Sequence, residues 1–340
     1  MNNKVLIIFL IFGCFTSGCH KKKKEFGRIN GMAQGSTYSI VYENPVKFTP
    51  EKIKETVEKI LHNFDLSLST YNDSSIISKI NCNKEVLVDT FFTEVFNKSR
   101  EISKMTDGAF DITVGPLVKA WGFGPDAHKN FDKSKLDSLL KLVGFEKVKI
   151  KDGRLIKANP GICLDFNAIA QGYSSDVIGR YFESLGIKDY VIEIGGEVRA
   201  KGDKGGDYWR IGIDKPIDNN MVPGSDLQAI IKIKNKSLST SGNYRKFYIE
   251  DGIKYSHEID PKTGYPARNT LLSATIIADD CATADGLATA CMVMGKDKSI
   301  EFLKKNANLE AYLVYSDNEG NFKTWISSNL KKNIDENISN

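Results

Sequence analysis

The chain has 340 residues, of which 41% are hydrophobic and 26% are charged, with 28 glycines and 9 prolines. This composition excludes fibrous and disordered proteins, and the length accommodates one large domain or two ordinary ones. The net charge of +4 comes from 47 basic and 43 acidic residues, but Lys4 and the run from Lys21 to Lys24 supply five of the positive charges. The rest of the chain is nearly neutral, so its charge does not indicate nucleic-acid binding.

The amino-terminal segment is typical of an export signal. Lys4 precedes an apolar run over residues 5–12, which is too short to span a bilayer but has the length of a signal-peptide core. Small residues then precede Cys19, as they do where a signal peptidase cuts and the following cysteine is acylated. We therefore predict a signal peptide over residues 1–18 and a lipidated tether over residues 19–26.

Two alternatives to this interpretation stay open. A cut before Cys14 would have the better aliphatic residue upstream, Ile11, but it would place bulky Phe12 beside the cut and shorten the apolar core. Cys19 would be incidental if the signal is an ordinary cleaved one. Export would leave four further cysteines in an oxidising compartment, and their spacing predicts neither a zinc site nor a disulfide framework. We expect structural roles for Cys82, Cys163, Cys281 and Cys291, and a disulfide between two of them is the alternative.

Helical and extended patterns alternate along the remaining chain without internal repeats. Apolar residues at three- and four-residue spacing predict a helix that begins at Thr49-Pro50 and another over Thr90–Met105, and Ser134–Val143 is predicted as a third helix that ends at Gly144. Asp-Gly pairs predict hairpins over 148–156 and 247–256. The other predicted strands are 190–194, 208–213, 227–233, 271–278, 311–315 and 322–326, and the other predicted helices are 169–185, 282–294 and 298–306.

Hairpins mixed with helices favour an α+β fold with mixed sheets and packed helices over a doubly wound sheet. We assign residues 27–330 to a single domain and residues 331–340 to a polar tail. The chain has no Walker loop, no G-x-G-x-x-G after a strand and no G-x-S-x-G elbow, so ordinary nucleotide folds and α/β-hydrolases have no support.

Five short polar or glycine-rich segments stand at the ends of predicted strands and are candidate ligand loops. The first, Asp107–Leu117, joins a carboxylate to a Gly-Pro turn, although a plain turn explains this segment alone better. In the second, Asp165 or Asn167 is placed to cap a helix whose free N–H groups would face a phosphate, and capping alone would explain the carboxylate. The third, Gly195-Gly196, allows either a close approach of the backbone to a bulky group or a simple turn.

The fourth segment, Ser256–Pro266, carries His257 at a strand end beside a proline-bounded polar turn. A lone histidine is more often structural than catalytic, but a turn of this composition favours a functional role. In the fifth segment, Asp285 and Thr289 are four residues apart, so they share one face if the segment is helical. A carboxylate and a hydroxyl without histidine or cysteine suit Mg²⁺, which prefers oxygen ligands, and an exposed helix face is the alternative.

Together these segments resemble the ApbE family, the FAD:protein FMN transferases, over nearly the whole chain after the tether. The resemblance rests on their order, which also includes Ser69-Thr70-Tyr71 ahead of Ser78–Asn81. It implies an α+β fold with a T-fold-like portion, FAD as the donor and Mg²⁺ as the cofactor. The implied reaction joins FMN to a threonine hydroxyl of a target flavoprotein through a phosphoester bond and releases AMP.

The resemblance also implies roles for individual residues. Tyr71 would stack on a ring of FAD, and Gln34 stands where family members have a methionine. The implied FAD-binding residues are Gln34, Tyr71, Ala109, Phe110, Asp111, Asp165, Gln171 and Ile259. Mg²⁺ would be held by Asp285, Thr289 and the backbone carbonyl of Ala168, although Ala288 stands where some members have a second aspartate. His257 is our candidate for accepting the threonine proton or holding the phosphate, because imidazoles as a class titrate near working pH.

The resemblance implies targets that carry a Ser/Thr-Gly-Ala-Thr type of motif. With the predicted signal and Cys19, it indicates an exported enzyme held at the cell membrane by a lipid anchor, on the periplasmic face of the inner membrane in a Gram-negative cell. An FAD pyrophosphatase that yields FMN and AMP is the nearest alternative, because water would replace the threonine hydroxyl. A non-catalytic FAD-binding lipoprotein is the alternative from another class, and it would not need the metal pair.

Overall fold

The structure, a computed structural model, describes residues 24–44, 48–123, 131–217, 220, 222, 224–244, 247–250 and 253–336. The predicted signal peptide, Cys14 and the lipidation candidate Cys19 lie outside these residues. The strands are β1 (Phe26–Ala33), β2 (Ser36–Glu43), β3 (Val148–Lys151), β4 (Arg154–Lys157), β5 (Tyr190–Ile194), β6 (Glu197–Lys201), β7 (Trp209–Asp214), β8 (Leu227–Ile233), β9 (Lys236–Gly242), β10 (Phe247–Glu250), β11 (Ile253–Ser256), β12 (Leu271–Ala278), β13 (Glu310–Ser316), β14 (Phe322–Ile326) and β15 (Ile334–Asp335). The helices are α1 (Pro50–Leu68), α2 (Ile76–Asn81), α3 (Thr90–Met105), α4 (Gly115–Ala120), α5 (Leu136–Leu140), α6 (Ala170–Ser184) and α7 (Cys281–Lys305).

An eight-stranded sheet forms the centre of the molecule, in the order β1-β2-β5-β6-β9-β12-β13-β14. Neighbouring strands in it run antiparallel, as β9 and β12 do in the register Thr240 to Thr275. A smaller sheet has the order β15-β8-β7, and β3 with β4 and β10 with β11 form separate hairpins. Antiparallel sheets combined with packed helices confirm the predicted α+β class.

The large sheet lies between two layers because alternate residues of each strand point to opposite faces. In β5, Ile192 and Ile194 pack with buried residues of α1 and α6. Val191, which precedes Ile192 and points to the opposite face, packs instead with residues of β7 and β8 in the small sheet. The order of layers is therefore helices, large sheet and small sheet, and the helical layer forms one wall of the site described below.

Local sequence signals explain where the main helices begin. The Thr49 side chain accepts a hydrogen bond from the Lys52 N–H and Pro50 occupies the first turn, as predicted. The predicted helix over Thr90–Met105 is confirmed, with Asp89 as its N-cap. The two helices predicted over 282–294 and 298–306 follow each other directly within α7, and Gly295 at φ 74° separates them.

Other expectations need correction. The predicted helix over Ser134–Val143 is only a 3₁₀ turn followed by the short α5. The tether prediction extends too far, because Phe26 already begins β1 and packs edge-on against Trp209. Within the predicted polar tail, residues of β15 still pair with β8.

All four described cysteines have free thiols. Cys281 and Cys291 are buried, as expected of structural residues, whereas Cys82 is exposed just after α2 and does not fit that expectation. Within the described part of the chain, no helix has both the length and the apolar character that crossing a membrane requires.

Candidate active site

A cavity of about 770 Å³ opens where the helical layer meets the β1–β2 turn, the β5–β6 turn and the end of β9 in the large sheet. This volume lies within the range of small-molecule and cofactor sites. The cavity is lined by every residue that the sequence predicted for ligand, metal or catalysis within the domain: Gln34, Tyr71, Ala109, Phe110, Asp111, Asp165, Ala168, Gln171, His257, Ile259, Asp285 and Thr289. Segments that are far apart in the sequence therefore meet at one cleft.

Asp285 lies at a tight contact between α6 and α7, where a Cβ atom added at Gly172 would be 2.7 Å from the Asp285 Cβ. Its carboxylate accepts hydrogen bonds from the Gly172 N–H at 2.9 Å and from the Ser239 hydroxyl at 3.3 Å. Burial raises the pKa of Asp285 to about 7, although both of these hydrogen bonds act in the opposite direction. The segment that carries Asp285 is helical, as predicted, but it is buried and is not the exposed helix face that was the alternative.

Strand β9 supplies hydroxyl groups to the same region, although it was not among the predicted strands. Ser239 contacts Asp285, and the Ser241 hydroxyl lies 3.3 Å from the Thr289 hydroxyl. Ser237, Ser239 and Ser241 alternate along β9 and therefore share one face. This period-two row of serines was a signal that could have located the strand as part of the site.

Asp285, Thr289 and Ala168 all line the cavity. The carboxylate, hydroxyl and backbone carbonyl that these residues carry are suited to Mg²⁺ and not to zinc. Among the described residues, no group of three or more His, Cys, Asp or Glu side chains is arranged to hold a metal. The set fits a hard cation whose remaining ligands are substrate oxygens, because only one carboxylate belongs to it.

The loop that carries Asp111 is held by that residue's own carboxylate. One oxygen accepts hydrogen bonds from the backbone N–H and the hydroxyl of Thr113, at 2.8 and 2.7 Å, and the other accepts one from the Phe145 N–H at 2.9 Å. Burial raises the pKa of the Asp111 carboxyl, and the hydrogen bonds oppose that shift. The loop thus lines the cleft while its aspartate chiefly stabilises the turn.

Asp165 does not cap α6, contrary to one reading of the sequence. The helix begins at Ala170 after Ile169, which makes no side-chain cap, and Asp165 instead accepts a hydrogen bond from the Asn167 N–H at 2.7 Å. The carboxylate lies too far ahead of the helix to reach its first turn, so it closes the preceding loop. Tyr71 lines the cleft with 66% of its surface exposed, which leaves a ring face open.

The side chains of Gln171 and Gln34 also line the cleft. A Cβ atom at Gly195 would lie 2.3 Å from the Gln171 amide nitrogen, so the missing side chain leaves room for Gln171. Gln34 occupies the β1–β2 turn at φ 53°, a conformation that is uncommon for residues other than glycine. Its Oε1 atom accepts a hydrogen bond from the Ser174 hydroxyl at 3.3 Å, while its buried Nε2 atom has no hydrogen-bond partner among the described residues.

His257 follows β11 and lies at the rim of the cleft, with 36% of its side chain exposed. Its ring lies edge-on to Phe123, with the ring centroids 6.4 Å apart. The next residue, Glu258, is buried, and its Oε1 atom lies 3.5 Å from the His257 Nδ1 atom. Ile259 is also buried and packs with Trp121 and Tyr255.

The charge of the lining is one-sided. The described lining includes no lysine and no arginine, and its acidic residues are Asp65, Asp111, Asp165, Glu197, Glu258 and Asp285. The ionised acids among these described residues would repel an anionic ligand, and a cation bound with it would offset that repulsion.

Comparison with known proteins gives a consistent picture. A family model described as the ApbE family matches residues 34–313. The FAD:protein FMN transferase of Haemophilus influenzae is 36% identical over 339 residues, which cover 96% of each chain, and the Vibrio cholerae protein of that name is 35% identical over 93% of this chain and 94% of its own. The solved structure of the flavin transferase ApbE from Vibrio cholerae superposes with a TM-score of 0.81 at 34% identity, covering 91% of this chain and 99% of that one.

Proposed function

The chain belongs to the ApbE family, and we propose that it is an FAD:protein FMN transferase, which moves FMN from FAD to a threonine of a target flavoprotein. One observation carries the proposal beyond the likeness of sequence. Residues implied to bind FAD, the metal and the threonine line a single cavity of about 770 Å³, although they come from both ends of the domain.

The charge of the cleft supports a metal-dependent reaction on a diphosphate. FAD contains a pyrophosphate, and no lysine or arginine among the described lining residues would neutralise it. Asp285, Thr289 and the Ala168 carbonyl would hold Mg²⁺, which when bound supplies Lewis-acid stabilisation of the phosphate oxygens. Burial raises the pKa of Asp285 to about 7. A cation bound beside the carboxylate would lower that pKa again and favour the ionised form that binds metal.

His257 provides the acid-base group at the rim. It accepts the proton of the threonine hydroxyl as the hydroxyl oxygen bonds to the FMN-side phosphorus. The bond from that phosphorus to the bridging oxygen breaks, and its electron pair leaves with AMP. Phosphoryl transfer depends mainly on positioning and charge stabilisation, so a single well-placed base is sufficient beside the metal site.

The other lining residues would bind FAD. Tyr71 stacks on a ring of FAD through its open face, and Gln171 and Gln34 offer amide groups from the opposite wall. Asp165 and the loop over 109–111 complete the lining, with Ile259 as an apolar contact.

We also propose where the enzyme is located in the cell. Cleavage before Cys19 and acylation of its thiol would anchor the protein to the membrane on the exported side, at the periplasmic face of the inner membrane in a Gram-negative cell. The acceptor would be a flavoprotein subunit that presents a Ser/Thr-Gly-Ala-Thr type of motif near that surface.

The test is to incubate the purified protein with FAD, Mg²⁺ and a protein that contains a Ser-Gly-Ala-Thr segment, and then to weigh the target by mass spectrometry. We expect a gain of one FMN that is lost with EDTA or with Asp285→Ala. Glu301→Ala is the matched control, since Glu301 is an exposed acid on the same helix that pairs with Lys305. Free FMN and AMP with an unmodified target would instead support the pyrophosphatase, and unchanged bound FAD would support the carrier.

A further inference from the structure

Glu258 is a buried carboxylate that the function above does not use. Its side chain is 2% exposed, yet it lines the cleft. Both of its carboxylate oxygens lack a hydrogen-bond partner among the described residues. A buried carboxylate without hydrogen bonds is strongly unfavourable, so this position calls for a partner.

Other acids of the cleft are already engaged by protein groups. The Asp111 carboxylate accepts three hydrogen bonds from Thr113 and Phe145, and Asp285 accepts hydrogen bonds from Gly172 and Ser239. The group that the structure places beside Glu258 is the His257 imidazole, whose Nδ1 atom lies 3.5 Å from Oε1. A small rotation of either side chain would close this distance to a hydrogen bond.

The backbone around Glu258 is held firmly. Its carbonyl accepts a hydrogen bond from the Ala267 N–H at 2.7 Å, and Ile259 pairs with Pro266 in a β-bridge. Further along the loop, the Gly264 carbonyl accepts a hydrogen bond from the Trp121 indole at 2.7 Å. Glu258 is therefore a fixed group against which the more exposed histidine can be oriented.

We propose that Glu258 is a positioning residue for His257. Its carboxylate accepts a hydrogen bond from Nδ1–H, which fixes the tautomer and leaves Nε2 unprotonated toward the cleft. This inference rests on the proposed function, in which Nε2 takes the threonine proton while the oxygen–phosphorus bond forms and AMP leaves with the electron pair of the broken bond. A base oriented by a third group is the general arrangement of activated hydroxyl nucleophiles.

The first arm of the test reads the tautomer directly. Long-range ¹H–¹⁵N correlation spectra of the full chain, labelled at histidine, report which ring nitrogen carries the proton, and the His257→Ala spectrum identifies the signals. We expect Nδ1–H with a bare Nε2 in the wild type and a shift toward Nε2–H in Glu258→Leu. A wild-type His257 protonated at Nε2 overturns the proposal, whatever the variants do.

The second arm measures transfer kinetics. Glu258→Leu should lower kcat about 10- to 100-fold, the size of effect found for residues that orient a reactive neighbour, with the KM for FAD unchanged within about twofold. Glu258→Gln keeps a carbonyl acceptor for Nδ1–H, so it should retain the tautomer and most of the rate. Leucine at a buried, unpaired acid should not destabilise the fold, and unfolding in urea checks this.

Glu94→Gln is the control, because Glu94 is a carboxylate outside the cavity lining that hydrogen-bonds Tyr173 and Arg180. It should change neither the tautomer nor kcat. Normal kcat and an unchanged tautomer in Glu258→Leu would overturn the inference while leaving the transferase function standing. A wild type with the expected tautomer that transfers no FMN to any target would instead refute the proposed function.

Discussion

Gly172→Ala tests whether the close contact between α6 and α7 positions Asp285. A Cβ atom at position 172 would lie 2.5 Å from the Cys281 carbonyl oxygen and 2.7 Å from the Asp285 Cβ. Both are parts of α7 that cannot rotate away, so the helices must separate by several tenths of an ångström or more. Such overpacking costs about 1–3 kcal/mol, and the helix preference of alanine over glycine returns about 1 kcal/mol of it. We expect a net loss of roughly 0–2 kcal/mol in stability.

Activity should respond more strongly than stability. Separation of the helices moves Asp285 away from the Gly172 N–H, now 2.9 Å distant, and a displacement of about 1 Å at a reacting site can lower rates about 100-fold. We therefore expect FMN transfer, followed by target mass, to fall about 10- to 100-fold in Gly172→Ala, with urea unfolding measured in parallel.

Gly286→Ala is the matched control, because its added Cβ would meet the Ile102 Cδ1 atom at 2.7 Å, the mobile end of a side chain. It should keep activity within about threefold. If Gly172→Ala were as active as this control, the helix contact would not be what positions Asp285.

Two further predictions address FAD binding and acid stability. Tyr71→Ala should raise the KM for FAD about 5- to 150-fold, because aromatic stacking on a base contributes about 1–3 kcal/mol, whereas Tyr71→Phe should leave the KM nearly unchanged in steady-state assays. The acid-stability prediction concerns Glu183. Burial raises the pKa of its carboxyl, but hydrogen bonds from Tyr190, Lys201 and Arg199 outweigh burial and hold that pKa at about 2. The contribution of Glu183, at most about 3 kcal/mol, is complete above about pH 4.5 and is lost as pH falls toward 2. The stability gap between wild type and Glu183→Gln in urea should therefore shrink over that window, and a gap that is constant with pH would contradict the assignment.

The elements that the sequence predicted well are those with a strong local period. The helix over Thr90–Met105 places Phe92, Val95, Phe96 and Ile102 in the core, and these apolar residues recur at the spacing of one helical face. The strand over Leu271–Ala278 is mostly apolar, with only Ser273 and Thr275 as polar residues, and nearly all of its residues are buried, as expected of a central strand.

The hairpin of β1 and β2 was missed because its pairing depends on contacts between strands. Gly27 and Gly31 weaken the strand pattern of β1, yet the rings of Tyr42 and Tyr38 on β2 cover them, and added Cβ atoms would lie 2.7 and 2.5 Å from those rings. Glycine is unfavourable in a strand until a cross-strand aromatic covers it. No window within β1 alone carries that information.

Local chemistry pointed to His257, Asp285 and Thr289, and the resemblance added most of the FAD-binding residues, but neither predicted Glu258. A glutamate beside a histidine in a polar turn reads as an exposed charge, and only the bridge between Ile259 and Pro266 shows that the segment turns this side chain inward. Burial of a charged group is a property of the assembled loop, which the sequence pattern does not encode.

Two buried aspartates between α6 and α7, Asp176 and Asp285, differ in how far protein groups already satisfy their carboxylate oxygens. Asp176 accepts hydrogen bonds from the N–H groups of Cys281 and Ala282 at 3.0 and 2.9 Å, and it pairs with Arg199 at 2.5 Å. Burial raises its pKa, and Arg199 opposes that shift, so its partners are all within the protein. Asp285 lies on α7, one turn after Cys281. Its carboxylate accepts one hydrogen bond from a backbone N–H, that of Gly172, and a weaker one from the Ser239 hydroxyl. Asp285 also lines the cavity, which supports the proposal that Asp285 would hold the cation while Asp176 fastens the helix.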